Sequence, residues 1–104
     1  ITVPGALEIP QAIKFYHDSD QQYDGYLALG CIIKGETYHF ELVSNESARS
    51  LSDLSLRFSI PIGNGILTCN NKKQAIERAN PKIKDIGGSA AEAMISVLKI
   101  IKDA

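Results

Sequence analysis

The run Tyr26-Leu27-Ala28-Leu29-Gly30-Cys31-Ile32-Ile33 constrains the fold more than any other stretch of the chain. A strand with one face in water alternates polar and apolar residues, and this one does not, so both faces call for cover. Such a segment reads as a central strand of a parallel sheet, with helices above and below. It is far short of the ~20 residues that a membrane-spanning helix needs.

The flanking patterns supply those helices. Phe40, Val43, Ser47, Leu51, Leu54 and Phe58 advance by three or four residues and form one apolar stripe, with Asn45, Glu46, Arg49 and Asp53 opposite. Residues 60–67 read as a second buried strand, interrupted by Gly63-Asn64-Gly65. Upstream, Ile9, Ala12 or Ile13, and Tyr16 recur at helical spacing, and Pro10 places that helix start near residues 6–9. Ile1-Thr2-Val3 is a strand-like stub ended by Pro4-Gly5, and residues 17–23 form a polar loop. Asn71 and Gln74 form a capping pair for a short helix through Ala79. After a loop over 80–88, Ser89-Ala90-Ala91-Glu92 has capping-box spacing and opens a last helix lined by Ala90, Met94, Val97, Leu98 and Ile101. Strand and helix alternate three times. The expected class is α/β with a parallel sheet, folded as a single domain over residues 1–104.

Composition narrows the function. A net charge of −1 opposes binding to nucleic acid or an anionic membrane, both of which select a surplus of Lys and Arg. The two cysteines, Cys31 and Cys69, have no Cys or His neighbours at metal-ligand spacing and read as free, small core residues. A soluble, cytoplasmic protein without metal is expected.

In an open parallel sheet, ligands gather beyond the carboxyl ends of the strands. The segment Lys34-Gly35-Glu36-Thr37-Tyr38-His39 falls there. Gly35 permits a tight turn, the following amides open a helix whose N-terminus favours anions, and the Thr37 hydroxyl adds a donor for a phosphate oxygen. Thr37 as a plain helix cap explains the same residues. His39, in the first helical turn, is disfavoured as an imidazolium by the helix dipole, and a neutral ring suits general acid–base work. Glu8 either complements a helix dipole or accepts hydroxyl hydrogen bonds from a polyol. Arg78 is either a solvated charge or a bidentate phosphate ligand.

In order and spacing, the chain resembles the lumazine synthase family of riboflavin biosynthesis. The likeness runs through Val3-Pro4-Gly5-Ala6-Leu7-Glu8-Ile9-Pro10, Gly30-Cys31-Ile32-Ile33-Lys34-Gly35-Glu36-Thr37-Tyr38-His39-Phe40-Glu41, Asn45-Glu46, Gly65-Ile66-Leu67-Thr68 and Gln74-Ala75-Ile76-Glu77-Arg78-Ala79. The resemblance implies a flavodoxin-like three-layer α/β/α fold, with three of the family's four strands in this chain. It implies a transferase without cofactors that condenses a ribitylamino-pyrimidinedione with a dihydroxybutanone phosphate, losing phosphate and water. On that reading Ala6, Leu7 and Glu8 hold the ribityl chain, and Ile32 and Ile33 line the ring pocket. Gly35, Glu36 and Thr37 sit near the phosphate, Arg78 arrives from a neighbouring subunit, and His39 shuttles protons. Family members are pentamers or larger shells, with sites between subunits and the long helix packed around the five-fold axis.

The departures from the family pattern are specific. Ile86 stands where the family has a lysine, Ser89 where it commonly has an acidic residue, and Asn64 where many members place an aromatic against the ring. The family's first strand and helix have no counterpart here, which implies part of a longer gene product and a gap between the strands at Ile1 and Tyr26. Two other readings accompany the enzyme. One is a catalytically weakened or non-catalytic relative acting as an oligomeric scaffold or ligand carrier. The other is a riboflavin synthase of the same fold, which the phosphate loop at 36–39 opposes.

Overall fold

The computed structural model describes residues 1–21 and 23–104. Gln22, within the loop expected over 17–23, lies outside the described residues. A 3-10 turn, Ala6–Glu8, runs into helix α1 (Ile9–Asp18), with Pro10 in the first turn where no helical hydrogen bond is lost. Strand β1 (Tyr26–Ile33), helix α2 (His39–Phe58), strand β2 (Ile62–Cys69), helix α3 (Lys72–Ala79) and helix α4 (Ile86–Asp103) follow. β1 and β2 pair in parallel, in register from Tyr26 opposite Ile62 to Ile33 opposite Cys69. Two backbone bonds bracket the ladder: Tyr26 N–H donates to the Pro61 carbonyl at 2.9 Å, and Lys34 N–H to that of Cys69 at 2.8 Å.

Because strand side chains alternate, each strand divides its residues between two layers. Tyr26, Ala28, Ile62 and Ile66 meet Ile9 and Ile13 of α1 and Leu51 and Leu54 of α2, closing the main core with Ile60. Leu67 and Cys69 face the other way, onto Ala75 of α3 and Ile86 of α4. The protein is therefore an α/β fold with helices on both faces of a parallel sheet.

Gly63 and Gly65, which interrupt the apolar run in the sequence, leave room for α4. A Cβ on Gly63 would lie 2.2 Å from the Ala90 carbonyl oxygen, and one on Gly65 would lie 3.4 Å from the Ala90 Cβ. The helix thus rests on bare strand backbone. Gly63→Ala should destabilise the protein by at least about 2 kcal/mol, since the obstacle is backbone and cannot rotate away. A lowered denaturant midpoint with an unchanged slope would show this, and an unchanged midpoint would contradict it.

Several expectations are corrected. Among the described residues the sheet has two strands, not three: residues 1–3 pair with none of them, and a lone segment does not hold as a strand. β1 is not sealed on both faces; Ala28 is buried, but Leu27, Leu29 and Ile33 on the opposite face are substantially exposed. β2 begins and ends two residues later than its apolar run, at Cys69. α4 starts at Ile86 rather than at Ser89, because Asp85 serves as N-cap and its side chain accepts the Gly88 N–H at 3.2 Å. The capping pair of α3 is present: Asn71 accepts from Gln74 N–H at 2.9 Å, while the Gln74 side chain accepts from Asn70 N–H at 2.8 Å. Among the described residues no helix is long and apolar enough to cross a membrane.

A groove of about 850 Å³ runs between residues 1–6 and β1.

Candidate functional site

The groove brings together the first group of residues that the sequence singles out. Gly5, Ala6, Ile32 and Ile33 line it, with Val43 contributed by α2 one turn after His39. Val43 was legible in the sequence only as part of a helix stripe. Leu7 and Glu8 complete the 3-10 turn at its mouth; Glu8 N–H donates to the Gly5 carbonyl at 3.2 Å. The Glu8 carboxylate makes no capping bond and folds back over Gly5, where a Cβ would lie 3.1 Å from its Oε1. The absence of a side chain at Gly5 is what lets this half-buried carboxylate sit beside the groove.

Beyond the end of β1, residues 34–38 lead to His39, the first residue of α2, and Gly35, Glu36, Thr37 and His39 are all exposed. The Thr37 hydroxyl oxygen accepts the His39 N–H at 3.3 Å, closing a local turn just before the helix, whose N-cap is Tyr38 and carries no side-chain capping bond. The Thr37 O–H can still donate outward. Gly35 does not carry a left-handed turn, since no described glycine has positive φ. Its contribution is open space: a Cβ there would meet no atom within 4 Å.

The second group lies at the other edge of the sheet. Because Cys69 directs its carbonyl to β1, its neighbour Thr68 directs its own away from β1, toward the free edge of β2. Arg78, in the last turn of α3, donates from Nη1 to that Thr68 carbonyl at 2.8 Å and to Cys69 Sγ at 3.6 Å. Asn64 serves the same edge, its Oδ1 accepting the Ile66 N–H at 3.0 Å. It also lines a small hollow of about 250 Å³ with Leu51, Ser52, Ser55, Leu56 and Ile62. Both side chains thus satisfy backbone groups that an edge strand leaves open. Glu8, Ile32 and Ile33 gather at the β1 edge, while Asn64 and Arg78 gather at the β2 edge.

The cysteines differ from each other. Cys69 is buried as expected, whereas Cys31 is exposed as a residue. Partial desolvation of the Cys31 thiol, with the neighbouring Cys69 adding to it, raises its pKa above the ordinary thiol value.

Residues 1–102 match the family model described as 6,7-dimethyl-8-ribityllumazine synthase. The chain belongs to that family. It is 56% identical over 102 residues to the 6,7-dimethyl-8-ribityllumazine synthase of Bartonella tribocorum, a match covering 98% of this chain and 68% of the relative. It is 53% identical to the proteins of that name from Bartonella henselae and Agrobacterium fabrum, over 98% of this chain and 66% and 72% of theirs. The chain spans about two thirds of the length of these curated relatives.

Within the family frame, Ile86 has a clear structural place. It is partly buried and packs against the cluster of Leu67, Cys69 and Ala75. Ser89 is exposed in the first turn of α4, its N–H donating to the Asp85 carbonyl at 3.0 Å. Neither position supplies a charge to a ligand.

Proposed function

We propose that this protein condenses 5-amino-6-(D-ribitylamino)uracil with 3,4-dihydroxy-2-butanone 4-phosphate to 6,7-dimethyl-8-ribityllumazine, in the cytoplasm, releasing phosphate and two waters. The observation that carries this reading is the family match over residues 1–102 together with relatives of that name at 53–56% identity. Glu8 accepts hydroxyl hydrogen bonds from the ribityl chain beside Ala6 and Leu7, while Ile32 and Ile33 pack on the heterocycle. The open amides at Gly35 and Glu36 and the Thr37 hydroxyl receive the phosphate at the start of α2. His39 takes the proton released as the amine attacks the ketone and returns it to the hydroxyl that leaves as water; it then accepts the carbon-bound proton whose loss expels the phosphate.

The placement of Arg78 and Asn64 at the opposite sheet edge supports a site completed by a second copy. In this reading the β2 edge of one subunit closes over the β1 edge and α2 start of the next, in a homo-pentamer or a larger shell. Leu42 and Leu56, exposed on the outward side of α2, favour helix packing between copies, whereas Ser47 is buried against the subunit's own core. Ile86 favours a slower enzyme, because its side chain cannot replace a cation near the phosphate.

Incubation with both substrates tests the activity, following the absorbance and fluorescence of the lumazine and the release of phosphate. Stoichiometric appearance of both products is expected. Binding of either substrate without any product would favour the non-catalytic carrier.

A further inference from the structure

The setting of Arg78 carries a further inference about the proposed reaction, resting on its assignment as the phosphate ligand. Arg78 follows Ala75 by three residues, so both face the sheet from one side of α3. Ala75 is buried against Leu67 and Cys69, so the stem of Arg78 passes along the same cluster and its guanidinium emerges at the β2 edge. There a single nitrogen, Nη1, holds both protein contacts: the Thr68 carbonyl at 2.8 Å and Cys69 Sγ at 3.6 Å. The guanidinium has five donors, and Nη2 and Nε carry no protein bond among those described. They form the pair that a phosphate engages bidentately.

We infer that Cys69 is a positioning residue, its thiol sulfur fixing the rotation of the Arg78 guanidinium so that the opposite side of the fork is presented to the phosphate. Sulfur is a weak acceptor, but Cys69 is only 1% exposed and held by strand and helix, so it is a rigid one. The Thr68 carbonyl alone fixes one point of a planar group, and a second contact is needed to set its plane. A flexible guanidinium must be ordered by the ligand at each binding event, whereas a fixed one has that entropy cost removed beforehand.

Cys69→Val keeps an apolar side chain of similar size and deletes the acceptor, while Cys69→Ser restores one. With the protein as encoded, Cys69→Val should raise KM for the butanone phosphate about two- to tenfold, the range of one modest hydrogen bond. KM for the ribitylaminouracil and kcat should stay within about twofold, and Cys69→Ser should bring the phosphate-substrate KM back toward wild type. In an Arg78→Ala background Cys69→Val should have no further effect. Equal rises in both KM values, failure of Ser to restore binding, or an undiminished effect without Arg78 would each overturn the inference. If Cys69→Val fails to fold, Cys69→Ala takes its place in the same comparison. An Arg78→Ala variant with unchanged KM for the phosphate substrate would instead overturn the assignment of Arg78 itself, which separates the two failures.

Discussion

His39→Ala should slow lumazine formation by about 10²–10⁴-fold without abolishing it, the span typical of positioned acid–base groups. An amine and a ketone condense readily once apposed, so much of the acceleration comes from holding both substrates together, and that survives the loss of one imidazole. The proton transfers do not survive it equally well. Imine formation requires a proton to leave the attacking nitrogen and another to reach the departing oxygen, and water must then replace the ring. Because His39 is exposed at the first residue of α2, its removal leaves no cavity, and thermal stability should hold. Single-turnover rates alongside a melting curve check this. Complete inactivity in a folded protein would assign His39 another role, and an unchanged rate would remove it from the reaction.

Arg78→Ala should weaken binding of the butanone phosphate about ten- to a hundredfold, the equivalent of a charge-assisted hydrogen bond worth roughly 1.5–3 kcal/mol. Affinity for the ribitylaminouracil should be unaffected, since the guanidinium has no role at the heterocycle. Arg78→Lys should recover only part of the loss, because an ammonium keeps the charge but not the fork. The freed Thr68 carbonyl stands at a free strand edge that water can reach, so stability should change little. Steady-state KM values for the two substrates, measured separately, decide it. Parallel loss for both would point to a collapsed site, and no loss would exclude Arg78 as the phosphate ligand.

Much of the fold can be read from the sequence where one local signal dominates. β1 appears at its expected limits because an unbroken apolar run ends at the charged Lys34, and the α2 stripe runs on one periodicity from Val43 to Leu54. The α4 start is misread because Gly87 and Gly88 look like loop, when Gly88 lets the Asp85 carboxylate close the cap. A Cβ at Gly88 would lie 2.2 Å from Asp85 Oδ2. The Gly63-Asn64-Gly65 interruption is misread for a related reason: strand propensity carries no information about a helix resting on strand backbone. Residues 1–3 have strand chemistry, yet a strand exists only with a partner. At the candidate site, Glu8 and His39 are legible from turn and helix-start signals. The separation of Asn64 and Arg78 from them is not, because it depends on which way the carbonyls of β2 point, and that is set by pairing register.

That separation makes the central claim open to a direct test: one chain supplies half of each site, and a neighbouring copy supplies the rest. Mixed assemblies reconstituted from equal amounts of His39→Ala and Arg78→Ala chains distinguish a shared site from a self-contained one. With a shared site, random mixing leaves a wild-type His39 facing a wild-type Arg78 at about a quarter of the interfaces in any closed ring. Lumazine formation at low butanone phosphate should therefore rise to about a quarter of the wild-type rate, well above either variant alone. A mixture no more active than the average of its two components would contradict the account.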